Sequence, residues 1–182
     1  MEHCHLPLQS GDDEVLKEMH RLYTVDSYLE IIQHLRTEIP GLGLTTDIIV
    51  GFPGETDEQF ENTLNVMKLV RFDGAYMFAY STRPGTPAGD RKDQVAEKVK
   101  KQRLTQLIDL QNQITTEINE TYVGRTLEVL VEGPSTRNPN TLQGYSREYK
   151  MVCFPGSSDR AGRLAQVKIT NSRVWGLSGE LV

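Results

Sequence analysis

The first half of the chain alternates apolar runs of strand length with apolar residues at helical spacing. Residues 42–50 are almost wholly apolar or β-branched and predict a buried strand. Residues 74–80 predict a second buried strand, and residues 3–8 predict a shorter one near the start. The clearest helical stripe between them consists of Tyr28, Ile32, Leu35 and Ile39. Strands that alternate with helices predict an α/β fold with a parallel sheet.

The second half changes to a period of two. A long amphipathic helix over residues 93–121 comes first, and about five short segments of alternating apolar residues follow, the last over residues 174–182, separated by Gly, Pro, Asn and Ser. Short strands at this spacing predict a small all-β barrel of the OB type. The expected organisation is therefore an α/β part, a bridging helix and a β barrel, over residues 1–90, 91–121 and 122–182.

The α/β part is predicted to belong to a larger barrel. Closing a (β/α) barrel takes roughly six to eight strands, whereas the pattern supplies three. An open first strand would leave backbone groups and apolar side chains exposed. We therefore expect residues 1–90 to be the C-terminal half of a (β/α) partial barrel.

Charge separates the two halves more sharply than the net value of −5 indicates. Residues 1–89 hold 6 basic and 14 acidic side chains, a net −8, whereas residues 123–182 hold 8 basic and 5 acidic ones, a net +3. A change of sign predicts two modules with different partners, and the basic module is the one expected to meet a polyanion. No apolar run approaches the ~20 residues of a membrane span, so we expect no membrane partner.

The cysteines and histidines offer little for a metal ion. Cys4 and Cys153 form no CxxC pair and are expected to be reduced thiols in a cytoplasmic protein. His3 and His5 flank Cys4, but on a strand the two histidines share one face and the cysteine points the other way. Because no second cluster completes a set of four ligands, we expect no metal site and instead a histidine that faces a lumen or a substrate.

A glycine-rich turn follows the predicted strand that ends at Val50. Gly51 and Gly54 lie in the turn, and Thr56 with Gln59 forms a capping box that opens a helix. Glycines at such a turn let a ligand approach the backbone N–H groups closely. The same pattern occurs at ordinary turns of α/β proteins, so the turn alone does not define a site.

Polar residues follow all three predicted strands. Gln9 and Ser10 come after the first strand, Asp47 lies in the second, and Tyr80 and Arg83 come at the end of the third. The carboxyl ends of parallel barrel strands open on one face, where ligand sites lie. The polar residues after any one strand could simply belong to an ordinary turn. Polar residues after all three strands together predict a binding site.

Asp47 and Arg21 leave alternatives open. A carboxylate inside an apolar strand needs a partner or a lumen to face. Arg21 can supply that partner, hold an anionic ligand carboxylate with two hydrogen bonds, or lie on the surface.

The predicted β barrel combines basic and aromatic residues. RNA-binding barrels use such residues for phosphate contacts and base stacking, although a solvated rim around an ordinary core has the same composition. The basic residues are Arg125, Arg137, Arg147, Lys150, Arg163, Lys168 and Arg173, and the aromatic ones are Tyr145, Tyr149, Phe154 and Trp175.

Several ordered motifs together resemble one family, the radical S-adenosylmethionine (SAM) methylthiotransferases. In the α/β part the motifs are His5-Leu6-Pro7-Leu8-Gln9-Ser10-Gly11, Arg21-Leu22-Tyr23-Thr24, residues 45–56 (TTDIIVGFPGET) and residues 80–88 (YSTRPGTPA). In the β barrel, residues 129–133 (VLVEG) and their surroundings resemble the TRAM domain of that family, and residues 142–145 (LQGY) resemble the branch that acts on N6-isopentenyladenosine beside the anticodon.

The resemblance implies an enzyme that uses SAM and two [4Fe–4S] clusters, needs an electron donor, acts on the anticodon stem-loop of tRNA, and is a cytoplasmic monomer. The family's C-x-x-x-C-x-x-C loop and its N-terminal domain with three further cysteines do not occur in this sequence. Neither Cys4 nor Cys153 can replace them. The chain is therefore expected to be the C-terminal part of the enzyme and to be inactive alone.

The resemblance also implies roles for individual residues, with the catalytic residues left unknown. SAM would be bound by Gln9, Ser10, Arg21, Asp47, Gly51, Phe52, Pro53, Gly54, Glu55 and Tyr80. RNA would be bound by Arg83 at the mouth of the active site and by Arg125, Arg147, Lys150, Lys168 and Arg173. Two alternatives stay open: a methylthiotransferase that acts on N6-threonylcarbamoyladenosine in tRNA, and a non-catalytic RNA-binding module.

Overall fold

The computed structural model describes residues 1–136 and 138–182, so that Arg137 lies outside the described residues. The chain divides into two compact units. We call them the α/β unit (His5–Pro40 and Leu44–Ile114) and the barrel unit (Met1–Cys4, Gly41–Gly43 and Thr115–Val182).

The first part of the chain has the predicted order of strands and helices. The strands form one sheet in the order β1-β2-β3, and β2 is parallel to β3, with Asp47 beside Tyr76. The predicted parallel sheet is therefore confirmed. The elements are β1 His3–His5, α1 Asp13–Glu18, α2 Val25–Glu38, β2 Gly43–Val50, α3 Asp57–Val70, β3 Gly74–Ala79 and α4 Glu97–Glu120.

Local sequence explains the helix boundaries. Thr56 accepts a hydrogen bond from the Gln59 amide, and the Gln59 side chain accepts one from the Thr56 amide, so the predicted capping box is present. Thr24 and Ser27 form a second capping box at α2. The first strand is shorter than predicted: it ends at His5, and Gln9 pairs with Ile48 only as an isolated bridge.

The last part of the chain is the predicted β barrel. Its strands close in the order β4-β5-β6-β8-β7, with β6 parallel to β8 and the other pairs antiparallel. A closed barrel leaves no open edge. Its strands are β4 Thr126–Ser135, β5 Asn138–Ser146, β6 Met151–Pro155, β7 Leu164–Arg173 and β8 Gly176–Leu181. Its core is formed by Tyr122, Leu127, Val129, Val131, Leu142, Val152, Phe154, Ala165, Val167, Ile169 and Leu177.

The last strand begins later than the sequence pattern predicts. Residues 174–182 were expected to be extended, but Val174 and Trp175 form the turn between β7 and β8. Arg173 pairs with Gly176 across this turn, and Gly176 has a φ of +147°. Glycine adopts that conformation more easily than other residues, which explains why the hairpin closes before Gly176.

Candidate functional site

The carboxyl ends of β2 and β3 border an open cleft of about 560 Å³ in the α/β unit. The cleft brings together four residues that the sequence predicted for the site: Gln9, Asp47, Tyr80 and Arg83. Gln9 has a φ of +67°. Its backbone makes two hydrogen bonds with β2: the Gln9 N–H donates to the Asp47 carbonyl, and the Gln9 carbonyl accepts from the Ile49 N–H. The fold thus gathers these four residues at the strand ends, as the topology predicts.

A second cleft of about 430 Å³ lies next to the first in the same unit, and the two share Ile49, Tyr80, Thr86 and Ala88. Arg21 and Phe52 line this second cleft. The Phe52 and Tyr80 rings meet edge to face with 5.2 Å between their centroids. Arg21 is exposed and has no ion pair within the described ranges, so its guanidinium is available to a carboxylate.

The partner of Asp47 is His5, whereas Arg21 was considered from the sequence. Its Oδ1 lies 3.5 Å from Nε2 of His5, and Nδ1 of His5 lies 3.0 Å from Oγ1 of Thr45. Arg21 therefore does not serve as the partner of Asp47 in the structure, and a role of His5 towards a lumen or a substrate stays a prediction. The arrangement fixes the Asp47 carboxylate while it still lines the larger cleft.

The remaining predicted SAM residues are divided between a third cleft and the interior. Pro53, Gly54 and Glu55 line a cleft of about 310 Å³. Ser10 is buried, with its hydroxyl 3.5 Å from that of Thr63. It supports the loop after β1 and does not line the described clefts.

The two glycines of the turn make room for the chain's own side chains. A Cβ on Gly51, where φ is +73°, would lie 2.5 Å from Cγ of Lys100. A Cβ on Gly54, where φ is +81°, would lie 2.6 Å from Nη2 of Arg91 and 2.7 Å from Oδ2 of Asp93. Internal packing and the positive φ values therefore account for a glycine at both positions, and the close approach of a ligand to this backbone stays a prediction.

A buried ion pair fixes the same turn from the inside. Nη1 of Arg103 donates to Oε2 of Glu55 at 2.6 Å, and Nη2 donates to Oδ1 of Asp57 at 2.7 Å. Oε2 of Glu55 also accepts the Gly51 N–H at 2.6 Å. Burial raises the pKa of Glu55, and the Gly51 N–H and Arg103 oppose that shift. Removing one partner of such a pair costs about 3–5 kcal/mol, because the other charge is left buried.

Lys100 holds the end of β3 in a similar way. Its side chain is 2% exposed, and its Nζ donates to the Tyr80 carbonyl at 3.1 Å and to Oε1 of Glu97 at 2.8 Å. Neither Lys100 nor Arg103 was predicted for the site from the sequence, because charged side chains of a helix are expected on its solvent face. Helical spacing could have indicated their burial, since both lie on the same face of α4 as Leu107 and Gln111.

In the barrel unit, the topology gathers four of the predicted RNA-binding residues at one end. The register places Thr126 opposite Lys168, Tyr145 opposite Met151, and Arg173 opposite Gly176. The starts of β4, β6 and β8 therefore meet the ends of β5 and β7. We call this the α4 end of the barrel because Asn119 of α4 contacts it. The predicted residues there are Arg125, Arg147, Lys150 and Arg173.

Three of these four contact other side chains of the unit, and Arg147 and Lys150 are the two whose cations are paired or buried. Nε and Nη2 of Arg147 each donate to the Glu2 carboxylate at 2.9 Å, and Nη1 donates to Oε1 of Glu128 at 3.1 Å. Lys150 is 6% exposed, and its Nζ lies 5.5 Å from the centre of the Tyr122 ring. Both residues therefore stabilise the barrel unit in the structure, and their role in RNA binding stays a prediction.

The other basic residues are open to solvent. The Arg125 guanidinium lies over the Tyr122 ring at 4.6 Å, and Arg125, Lys168 and Arg173 are all exposed. No ion pair holds Lys168 or Arg173 in the part of the chain that the structure describes. Cations of this kind can contact phosphates without first breaking an internal pair.

The structure offers no ligand set for an iron–sulfur cluster within residues 1–136 and 138–182. No three His, Cys, Asp or Glu side chains converge there, and Cys4 and Cys153 are both free thiols. Burial raises the pKa of Cys153, which disfavours the thiolate that binds metals. Within the same ranges, no helix has both the length and the apolar character needed to cross a bilayer.

Comparison with protein-family models finds one family for each part of the chain. Residues 1–67 match the radical SAM superfamily, and residues 120–182 match the TRAM domain. Lys100 and Arg103 lie between the two matched regions.

Three similar curated proteins carry the name tRNA-2-methylthio-N(6)-dimethylallyladenosine synthase. The protein from Alkaliphilus oremlandii is 49% identical over 181 residues, which are 100% of this chain and 38% of the relative. The protein from Geobacillus kaustophilus is 52% identical over 182 residues, 100% of this chain and 34% of the relative. The protein from Moorella thermoacetica is 49% identical over 181 residues, 100% of this chain and 41% of the relative. The chain thus spans well under half the length of these relatives.

A solved structure shares the fold. Coproporphyrinogen III oxidase (HemN) from Escherichia coli, a radical SAM enzyme, has a TM-score of 0.54 and 15% sequence identity. The likeness covers 92% of this chain and 41% of that one. At this identity it concerns the fold alone, and it agrees with the predicted (β/α) partial barrel.

Proposed function

We propose that this chain belongs to the radical SAM methylthiotransferases and forms part of the SAM site and the RNA-binding domain of a tRNA methylthiotransferase. The complete protein converts N6-isopentenyladenosine (N6-dimethylallyladenosine) next to the anticodon to its 2-methylthio derivative. It acts in the cytoplasm as a monomer and receives electrons from a separate donor. The names of the relatives favour this substrate over N6-threonylcarbamoyladenosine.

The observation that carries the proposal is the pair of adjoining clefts that share Tyr80. Arg21 presents a free guanidinium in one of them, which suits the carboxylate of an amino acid. Phe52 and Tyr80 offer aromatic faces to a flat ring, and Asp47 and Gln9 offer hydrogen-bond partners for hydroxyl or amino groups. A nucleoside joined to an amino acid, as in SAM, contains all of these groups.

The residues present do not fit an iron–sulfur cluster, since the two cysteines cannot offer three thiolates. Bound SAM supplies the methyl group and, once reduced, the radical for this family's chemistry. The chain's own contribution is to hold ligands: Arg21 orients a carboxylate, Phe52 and Tyr80 cover a ring and exclude water, and Arg83 lies at the open side of the larger cleft.

The proposal is tested in the full-length protein, reconstituted anaerobically with iron and sulfide. With SAM and a reductant, we expect methylthiolation of a stem-loop that carries N6-isopentenyladenosine and none of one that carries N6-threonylcarbamoyladenosine. Arg21→Ala should weaken SAM binding about 10-fold or more while stem-loop binding stays unchanged, because charge-assisted bidentate pairs contribute roughly 1.5–3 kcal/mol. Product on the second stem-loop alone, or SAM affinity unchanged in the variant, contradicts the proposal.

A non-catalytic RNA-binding module is the second candidate, and the cysteine count favours it for the 182-residue chain by itself. We expect that chain, treated with iron and sulfide, to hold no stable cluster and to form no product, yet to compete with the full-length protein for the stem-loop. About four bound irons per chain, measured after gel filtration, would contradict this expectation.

A further inference from the structure

We propose that the turn between β7 and β8 is a base-stacking site, in which Trp175 takes up an unpaired base of the bound RNA. The inference rests on the RNA-binding role proposed above and assigns it to one side chain. Trp175 is the only tryptophan of the chain.

The indole is unusually open for a residue of its size. Trp175 is 78% exposed, although tryptophan is highly buried on average in folded proteins. It is absent from the set of side chains that form the barrel core. Its aromatic surface therefore contributes little to the stability of the barrel, and a ligand can cover it without displacing a protein contact.

The backbone beneath the indole is nevertheless held in place. Nδ2 of Asn119, whose side chain is buried, donates to the Arg173 carbonyl at 2.9 Å and to the Val174 carbonyl at 3.4 Å. On the other side of the turn, a Cβ at Gly176 would lie 2.8 Å from the Met151 carbonyl oxygen. A fixed turn that carries a free ring loses little conformational entropy on binding.

Cations flank the ring at the α4 end of the barrel. Arg173 is two residues away on the same turn and has no ion pair in the described residues. Arg125 lies at the start of β4 at the same end, and Lys168 faces outward from β7 opposite Thr126 and Glu180. Phosphates bound by these cations would bring the adjoining bases to Trp175, as in other single-strand-binding barrels.

The same features favour RNA over a protein partner and an unpaired base over a duplex. Protein interfaces are depleted of lysine at their core and carry several apolar side chains together, whereas the exposed residues on this side of the barrel include Arg125, Lys168 and Arg173. In a duplex, each base already stacks on its neighbours, so only a loop or a strand end offers a free face.

The single tryptophan makes the test direct. The 182-residue chain is titrated at low salt with an anticodon stem-loop and with a blunt RNA duplex of equal charge, while Trp175 fluorescence and the anisotropy of labelled RNA are both recorded. We expect the stem-loop to quench and shift the emission at saturation, and the duplex to bind through phosphates without that change. Added salt should lower the affinity and leave the emission of the saturated complex as it is, because stacking is not an ionic contact.

Substitution of Trp175 measures the contribution of the ring to RNA affinity apart from that of the charged side chains. Trp175→Ala should weaken stem-loop binding about 5- to 150-fold, as expected for the loss of one base–aromatic stack, whereas Trp175→Phe should retain most of it. Tyr76→Ala is the matched control, because Tyr76 is an aromatic residue of the α/β unit that is also exposed. The midpoint of thermal unfolding should stay the same in all three variants.

The outcomes separate this proposal from the function on which it rests. If the chain binds neither RNA, the proposed RNA-binding role and this inference both fail. If stem-loop binding leaves the emission unchanged and Trp175→Ala has wild-type affinity, only the stacking site is wrong. If RNA has no effect but Trp175 is shielded from acrylamide in the full-length protein, the turn is a protein contact and the inference is overturned.

Discussion

Two turns at the α4 end of the barrel have the same local sequence pattern but different surroundings. The β5–β6 turn contains Arg147 followed two residues later by Tyr149. At the β7–β8 turn, Arg173 is the last residue of β7 and is followed two residues later by Trp175. In the first turn, Arg147 pairs with two carboxylates. The Tyr149 ring of this turn stacks between His3 and Tyr145, with centroid distances of 4.7 and 4.6 Å. In the second turn, the arginine has no ion pair in the described ranges and the ring is open.

The difference shows that the pattern of an arginine beside an aromatic residue does not by itself identify a binding surface. At the first turn, Met1–Cys4 and Gly41–Gly43 belong to the same compact unit, in which Glu2 pairs with Arg147 and His3 stacks on Tyr149. The Glu2 amide donates to the Arg147 carbonyl at 2.8 Å, and the Gly43 amide donates to the Glu2 carbonyl at 2.9 Å. Side chains that are already paired would have to lose those contacts to bind RNA, whereas those of the second turn would not.

Gly43→Ala tests the first turn and should have the largest effect. A Cβ at Gly43 would lie 2.4 Å from the Glu148 carbonyl oxygen, and backbone atoms cannot move aside as a flexible side chain can. We expect the free energy of unfolding to fall by about 1–3 kcal/mol, as for other overpacked sites. Urea denaturation measures this change.

Gly74→Ala is the matched control for that substitution. Its Cβ would meet only Cγ2 of Thr45, at an ordinary contact distance of 3.6 Å. Its stability should be unchanged or raised by up to about 1 kcal/mol, because alanine restricts the unfolded chain. Equal stability of the two variants would mean that the β5–β6 turn is not held as described.

Replacement of each arginine separates the two turns by their effect on RNA affinity. Arg173→Ala should weaken binding of an anticodon stem-loop roughly 5-fold, about 1 kcal/mol, and reduce the salt slope by about 1, because one phosphate contact is lost. Arg147→Ala should change affinity less, since its guanidinium already contacts Glu2 and Glu128. Filter binding at two salt concentrations measures both quantities.

The control for this pair is Arg163→Ala. Arg163 is also exposed, but it precedes β7 at the opposite end of the barrel. It should leave the affinity close to that of the wild type. An Arg147 variant that loses more affinity than the Arg173 variant would reverse the assignment of the two turns.

The ion pair at the first turn should also give stability a dependence on pH, and this is the smallest of the expected effects. The hydrogen bond from Arg147 lowers the pKa of Glu2 from its ordinary value of 4.5. A lowered carboxyl pKa in the folded state adds stability above pH 4.5, and that stability is lost as pH falls through the lower folded value. Glu2→Gln should therefore be less stable than the wild type at pH 7, and the difference should shrink towards pH 3. A difference of the same size at both pH values would exclude this role for the pair.

The fold could be predicted from sequence because its signals are local and repeated. The apolar run of Gly43–Val50 and the capping box at Thr56 each depend on a few neighbouring residues. The alternation of apolar residues with a period of two predicted the strands of the barrel. The β7–β8 turn was not predicted, because Val and Trp are both favourable strand residues and occupy positions 174 and 175. Tertiary packing at Gly176 decides that boundary, and no local pattern reports it.

The candidate site was only partly predictable. Residues at strand ends were found because topology places them together, as for Gln9, Asp47 and Tyr80. The contacts that hold the neighbouring glycine turn were not found, because they join residues far apart in the sequence, as Arg103 does with Glu55. The same reason explains why the pairing of Arg147 with Glu2 was missed, since 145 positions separate the two residues.

The measurement that most directly tests the RNA-binding role of the open turn is the salt dependence of stem-loop binding by the 182-residue chain. With Arg125, Lys168 and Arg173 as the available cations, the logarithm of affinity should fall with the logarithm of salt concentration with a slope of roughly −2 to −3. Arg173→Ala should make that slope shallower. An affinity that does not depend on salt, or a slope that the Arg173 variant leaves unchanged, would contradict the assignment of RNA binding to this end of the barrel.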